Sequence, residues 1–270
     1  MGATVGHKAP LAIIDRMNLP DVPYTLVVPS IYGQVMVNRF DTNQTNALIK
    51  TGEAFDAGEI RLLQSMVQML PAGQVFLDVG ANFGLYSLAM AQTLKATGGV
   101  VHAFEAQRVL FNMVCGSVAL NSWENIFVHH VAVADHLGSI AIPKFDYRLI
   151  TSFGSIEFGD QQREPLTQPR QASTEQVRAI SLDSLQLPRV DLIKMDIEGM
   201  EECALQGATQ LISTHRPIAF VEWIKSDKQA LVDYFVHQRY QVFESGGNLL
   251  CLPKDKAPKI VVEGAALLGG

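Results

Sequence analysis

FLDVGANFGLYSLAM, residues 76–90, runs from an apolar, strand-like segment through Asp78, Gly80 and Gly84 into a helical pattern marked by Leu85, Leu88 and Ala89. A strand that enters a helix through glycines belongs to open α/β sheets, whose ligands sit outside the carboxyl ends of the strands. Such turns commonly hold phosphates, yet this one places a carboxylate at its mouth. Read as G-x-G-x-x-G, the frame gives Asp78, Gly80 and Phe83, so the first and third glycines are absent. Asp78 would repel a pyrophosphate, and Phe83 would block the close backbone approach that a third glycine permits. No Gly-Lys-Ser/Thr follows, which excludes a P-loop. The remaining pattern, D-x-G-x-x-x-G, suits a ligand with no phosphates and a positively charged end. S-adenosylmethionine fits: its ammonium can meet carbonyls and acids near Asp78, and its carboxylate can approach backbone amides at the helix start. Glu105 closes the next strand, where an acid can accept both ribose hydroxyls. The plainer alternative is a structural glycine turn and a solvent-facing glutamate.

Around this turn the pattern alternates. QVFLDV (74–79), GVVHAFE (99–105), IFVHHVAV (126–133), VDLIKMD (190–196) and PIAFVEW (217–223) read as strands. Helices are expected after the glycine turn, up to Asn121, over roughly 200–213 and from Ser226, where Gln229 has capping-box spacing. An earlier helix starts at Asp56, with Glu59 at the same spacing and Ile60, Leu63, Val67 and Leu70 at helical period. The alternation predicts a doubly wound, mostly parallel α/β sheet with helices on both faces. YQVFE and LLCLP flank Ser245-Gly246-Gly247-Asn248, so the last two strands form an antiparallel hairpin.

The chain divides into an N-terminal extension (1–55) with short strands at YTLVV and QVMVNRF, a main domain (56–253) and a tail (254–270). The polar segment 159–176 reads as a mobile surface loop. This loop and the N-terminal extension are the candidates for an acceptor lid.

With 270 residues, 48% hydrophobic and 18% charged, the composition is that of an ordinary globular protein. A net charge of −6 without a block of Lys and Arg argues against nucleic acid or an anionic membrane as partner. Cys115, Cys203 and Cys251 are odd in number and far apart, which suits a reducing cytoplasm. The N-terminus lacks the order of a secretory signal, and Gly6 stands where a myristoylation pattern needs Ser or Thr. No apolar run is long enough to span a bilayer.

The chain resembles the FkbM-type family of S-adenosylmethionine-dependent methyltransferases. The resemblance rests on FLDVGANFGLYS (76–87), HAFEA (102–106), NSWENIFVHHVAVAD (121–135), ISLDSL (180–185), VDLIKMDIEGMEECALQGA (190–208) and RPIAFVEW (216–223), and covers roughly residues 50–253. The pairing of D-x-G-A-N-x-G with I-K-x-D-x-E-G is more specific than either part. The resemblance implies a Rossmann-like class I methyltransferase sheet of seven strands. It also implies cofactor contacts at Asp78, Gly80, Ala81, Asn82, Gly84 and Glu105. Two positions depart from the family: Ala106 replaces the usual Pro, and Ser117 a common Asn.

A hydroxyl acceptor needs its proton removed or its oxygen polarised. KMDIEG delivers Lys194, Asp196 and Glu198 at the carboxyl end of a central strand, with Lys194 and Asp196 on one face. Asp196 is expected to border the methyl-transfer centre, with Lys194 and Glu198 shaping its charge. A structural Lys–Asp pair and a helix-capping Glu198 are the alternatives. Glu222 ends the neighbouring strand, and Asp196 with Glu222 could hold Mg²⁺, although the sequence offers no clear third ligand, so the metal-free reading stands first. Asp135 could reach the adenine amino group or simply occupy a turn before Gly138. His102 and one of the 129/130 pair are expected within strands as core histidines, and His136 falls near the expected adenine. The activity expected is O-methylation of a small-molecule hydroxyl. N-methylation and a cofactor-binding protein without catalysis are the alternatives.

Overall fold

The computed structural model describes residues 22–155, 173–255 and 266–269. The first twenty-one residues and most of the polar segment 159–176 lie outside them. Strands are β1 (Thr25–Ser30), β2 (Gly33–Asn38), β3 (Val75–Val79), β4 (Val100–Glu105), β5 (Ile126–His130), β6 (Ala132–Val133), β7 (Gly138–Pro143), β8 (Thr174–Ile180), β9 (Leu192–Met195), β10 (Ile218–Glu222), β11 (Tyr240–Ser245), β12 (Asn248–Pro253) and β13 (Ala266–Gly269). Helices are α1 (Gln44–Thr51), α2 (Ala57–Gln68), α3 (Leu85–Leu94), α4 (Arg108–Leu120), α5 (Glu201–Gln206), α6 (Thr209–His215) and α7 (Lys228–His237).

The main sheet has the order β13-β11-β12-β10-β9-β3-β4-β5. β5, β4, β3, β9 and β10 run parallel, and β12, β11 and β13 are antiparallel. The parallel strands are covered on both faces, which is why β3 (VFLDV) is buried throughout and carries no polar alternation. Gly246, with φ +60, makes the tight hairpin joining β11 to β12, as its sequence implies. Seven strands were expected and the sheet has eight, because residues 266–269, assigned to a tail, pair with β11.

Three other expectations change. The run 126–133 is two strands: Val131 donates back to His129 O, and β6 leaves the main sheet to join β8 and β7 in a separate three-stranded sheet. Residues 174–176, placed in the polar loop, belong to β8. The helix expected over 200–213 is α5 and α6, broken at Gly207. A Cβ at Gly207 would lie 2.1 Å from Ala134 O, so the backbone rests directly on the chain leaving β6. Asp183 then caps the second helix from outside, accepting from Gln210 N (3.0 Å) and Leu211 N (2.7 Å).

Both capping boxes are also diverted. Asp227, not Ser226, caps α7, accepting from Gln229 N and Ala230 N. Asp56 stands at the start of α2, but its carboxylate accepts from Gln44 Nε2 at 3.0 Å instead of capping the helix. The β1–β2 hairpin packs against α4, where Ser117 Oγ accepts from Met36 N at 2.8 Å.

Candidate active site

In the order β4-β3-β9-β10 the chain direction of strand addition reverses between β3 and β9, the place where open α/β sheets bind ligands. Four acids arrive there from strand ends or the turns after them: Glu105, Asp196, Glu198 and Glu222. Asp78 lies just below, paired in register with Lys194.

The glycine turn is built against the opposite strand. Asp196 N donates to Val79 O, and a Cβ on Gly80 (φ +85) would fall 1.8 Å from Asp196 O. Only glycine fits. Gly84 (φ +78) starts α3 against Val114, and Asn82 holds φ +52, a conformation rare for a residue with a side chain. The amides of Gly80 and Ala81 both donate to Phe104 O, and that of Gly84 to Ala81 O. These three amides are therefore spent within the fold.

Glu105 is nearly buried, 6% exposed, and its two oxygens accept from Asn82 N and Gln107 N, each at 2.8 Å. Burial pushes its pKa up to about 7 against the pull of those two amides. Gln107, which no sequence motif singles out, locks this corner: its Nε2 donates to Phe153 O, and Tyr147 OH donates to its Oε1. Gly154 follows so closely that a Cβ there would meet Asn82 Nδ2 at 2.3 Å. These groups frame an open cleft at the carboxyl ends of the strands. Glu105 stands on one wall, the apolar Val131–Val133 stretch on another, and Asp196 and Glu198 at the far end.

A smaller hollow adjoins it, lined by Gln44, Asp56, Tyr86 and Lys194 and sharing Gly80, Asn82 and Asp196 with the cleft. Tyr86 OH donates to Glu59 Oε2 at 2.8 Å, and Asn248 Nδ2 to Glu59 Oε1 at 3.1 Å. Glu59 thus holds Tyr86, which lines the hollow, instead of closing a capping box. Neither Glu59 nor Tyr86 was legible as a site residue, although Tyr86 sits on the first turn of the helix after the glycines.

Lys194 Nζ donates to Gly80 O (3.0 Å) and lies 3.5 Å from Asp196 Oδ2 and 3.8 Å from Asp78 Oδ1. Asp78 is fully buried. Its Oδ2 accepts from Ser87 Oγ at 2.5 Å, while its Oδ1 has no hydrogen-bond donor. Glu198 (φ +59) pairs with Lys225 Nζ and caps no helix. The neighbouring Glu201 clasps the loop instead, accepting from Ile197 N and Gly199 N. Burial first, then the charge of Asp196, raises the pKa of Glu198. Glu222 is raised well above the usual carboxylate range by burial, then by Asp196, Glu198 and Glu201. Asp196 Oδ1 and Glu222 Oε2 are buried without a hydrogen-bond donor, as is Asn82 Oδ1. Asp196, Glu198 and Glu222 can bring one oxygen each within 4.8 Å of one another, so the third carboxylate missing from the sequence reading is Glu198.

Asp135 is not among the cleft residues. It is exposed and bonds His136 Nδ1 (2.6 Å) and Cys203 Sγ (3.4 Å). His102 and His129 bond each other at 3.0 Å, and burial pulls His102 down to about 4. Among the described residues, no helix is long and apolar enough to cross a membrane.

The methyltransferase FkbM domain model matches residues 78–245, more than half of the chain. No curated protein matches. Among solved structures, methyltransferase FkbM from Methylobacillus flagellatus KT is similar at 19% identity, covering 67% of this chain and 44% of that one, with a TM-score of 0.49. The present chain therefore spans less than half the length of that protein. Precorrin-6y C5,15-methyltransferase from Geobacter metallireducens GS-15 is similar at 12% identity, covering 72% of this chain and 86% of that one, with a TM-score of 0.41. M. jannaschii TYW2, in complex with AdoMet, is similar at 10% identity, covering 86% and 85%, with a TM-score of 0.45. With its glycine turn, its I-K-x-D-x-E-G strand end and the sequence match between them, the chain belongs to the FkbM methyltransferase family.

Proposed function

We propose that the chain transfers the methyl group of S-adenosylmethionine to a hydroxyl of a small-molecule metabolite, such as a sugar or a macrolide, in the cytoplasm. The observation that carries this reading is the pair of buried, donorless carboxylate oxygens, Asp196 Oδ1 and Glu222 Oε2, contributed from the carboxyl ends of adjacent central strands. A buried acceptor without a donor is costly unless a ligand supplies one, and an acceptor O–H does.

The cleft suits the cofactor: Glu105 would take the ribose hydroxyls, Val131–Val133 the adenine face, and the donorless Asn82 Oδ1 a cationic group. When bound, S-adenosylmethionine supplies an electrophilic methyl group on a cationic sulfur. The protein's part is to exclude water, to hold the acceptor oxygen, and to take its proton on Glu222 or Asp196. Neutral amines need little such help, so two aligned bases favour oxygen over nitrogen. Incubation with labelled cofactor and a panel of polyhydroxylated and amine acceptors tests this. An O-methyl product is expected, whereas an exclusively N-methylated product, or none from any acceptor, counts against it.

Lys194 and Lys225 give Asp196 and Glu198 cationic partners, and burial with the neighbouring acids favours the protonated form of Glu222, so the acidic trio needs no metal to be neutralised. Transfer is therefore expected to survive EDTA unchanged, and a loss restored by Mg²⁺ would reinstate a metal. Glu105 provides a pH test. Ribose hydroxyls donate best to its ionised form, so affinity for S-adenosylhomocysteine should rise as pH climbs through about 7. Glu105→Gln should flatten that dependence in calorimetric titrations.

A further inference from the structure

Lys194 is only 5% exposed, in β9 beside β3, and its ammonium meets Gly80 O and the carboxylates of Asp196 and Asp78. An ammonium so placed is costly unless anions compensate it. Burial would pull its pKa down, but Asp196 and Asp78 outweigh that and raise it above the ordinary lysine value. Lys194 therefore stays charged at neutral pH. Its position matters more. Nζ bonds Gly80 O, pairs with Asp196 Oδ2 and lies 5.1 Å from the Tyr86 ring centre. Gly80, Asn82 and Asp196 are the residues common to the cleft and the smaller hollow, so a fixed positive charge stands where the two meet.

Resting on the cofactor reading above, we infer that Lys194 sets the discrimination between the cationic methyl donor and its neutral product. S-adenosylmethionine and S-adenosylhomocysteine share the adenosine, the ammonium and the carboxylate, and differ by one methyl group and one positive charge at sulfur. Asp78 and Asp196 attract that charge selectively, and Lys194 offsets them. The site then does not overbind the donor in its ground state. That favours catalysis, because the sulfur's charge is lost as the methyl group leaves and only differential binding accelerates the reaction. In the same arrangement Lys194 occupies Asp196 Oδ2 and leaves Oδ1 free, which makes it a positioning residue for the transfer centre.

The test is calorimetric titration of both ligands at pH 8 into the wild type, Lys194→Gln, Lys194→Met and Lys194→Arg, with melting temperatures to check folding. Gln keeps a donor for Gly80 O without the charge, and Arg keeps the charge. The neutral variants should shift the affinity ratio toward S-adenosylmethionine by at least about tenfold, the factor that one unit charge gives at about 12 Å and an effective dielectric of about 20. Arg should keep the wild-type ratio. Equal weakening of both ligands with an unchanged ratio would overturn the inference and leave Lys194 as a prop for the turn. If only Gln or only Met folds, that variant alone decides. A wild type that binds neither ligand would instead refute the cofactor reading, and the inference with it.

Discussion

Replacing Glu222 with glutamine is expected to lower methyl transfer by about 10²–10⁴-fold, the range for losing a positioned general base. Affinity for S-adenosylhomocysteine should stay close to wild type, because Glu222 is not among the residues lining the cleft beside Glu105. The pH profile separates a base from a merely nearby acid. Burial and then the charges of Asp196, Glu198 and Glu201 raise the pKa of Glu222, so it keeps its proton to higher pH than a free glutamate. The basic form thus accumulates as pH rises, and kcat/KM of the wild type should climb above neutrality. The glutamine variant should lose that limb. Stability follows the same linkage: a carboxyl whose folded pKa lies above its unfolded value contributes stability below the unfolded pKa, and that contribution is lost as pH rises through the folded value. Glu222→Gln should therefore gain stability relative to wild type toward alkaline pH. An unchanged rate with an unchanged profile would remove Glu222 from the transfer chemistry.

Gly80→Ala should do the most structural damage of any single methyl group at the site. The backbone at φ +85 disfavours any side chain, and the new Cβ would lie 1.8 Å from Asp196 O, a backbone atom that cannot swing aside. Left-handed strain and overpacking together cost about 2–6 kcal/mol. The melting temperature should fall by about 10 °C. Binding should suffer more than stability, since relief of the clash must separate the glycine turn from the strand end carrying Asp196. A variant that melts like wild type and still binds S-adenosylhomocysteine would show that β3 and β9 are not apposed as described.

Why some of this was legible in the sequence follows from locality. Asp78, Gly80 and Gly84 sit within one strand–turn–helix unit, and the absent first and third glycines of the dinucleotide pattern already speak against phosphates. Glu105, Asp196 and Glu222 were placed by the rule that parallel strands present their carboxyl ends together. What escaped depends on contacts between distant segments. Glu59 looked like half of a capping box until Tyr86 and Asn248 claimed its carboxylate. The break at Gly207 needs the chain beyond β6 pressed against it, and Asp183 to cap from outside. Glu198 joins Asp196 and Glu222 only because its left-handed backbone turns the loop after β9 back on itself. Asp135, placed by chain order beside the adenine, is held instead by His136 and Cys203.

The central claim is that this cleft is built for S-adenosylmethionine, with Glu105 on the ribose. Titration calorimetry of S-adenosylhomocysteine into the wild-type protein and Glu105→Ala tests it most directly. Saturable binding at one site per chain, strongly weakened in the variant, is the predicted result. No binding to the wild type, or equal binding to both proteins, would contradict it.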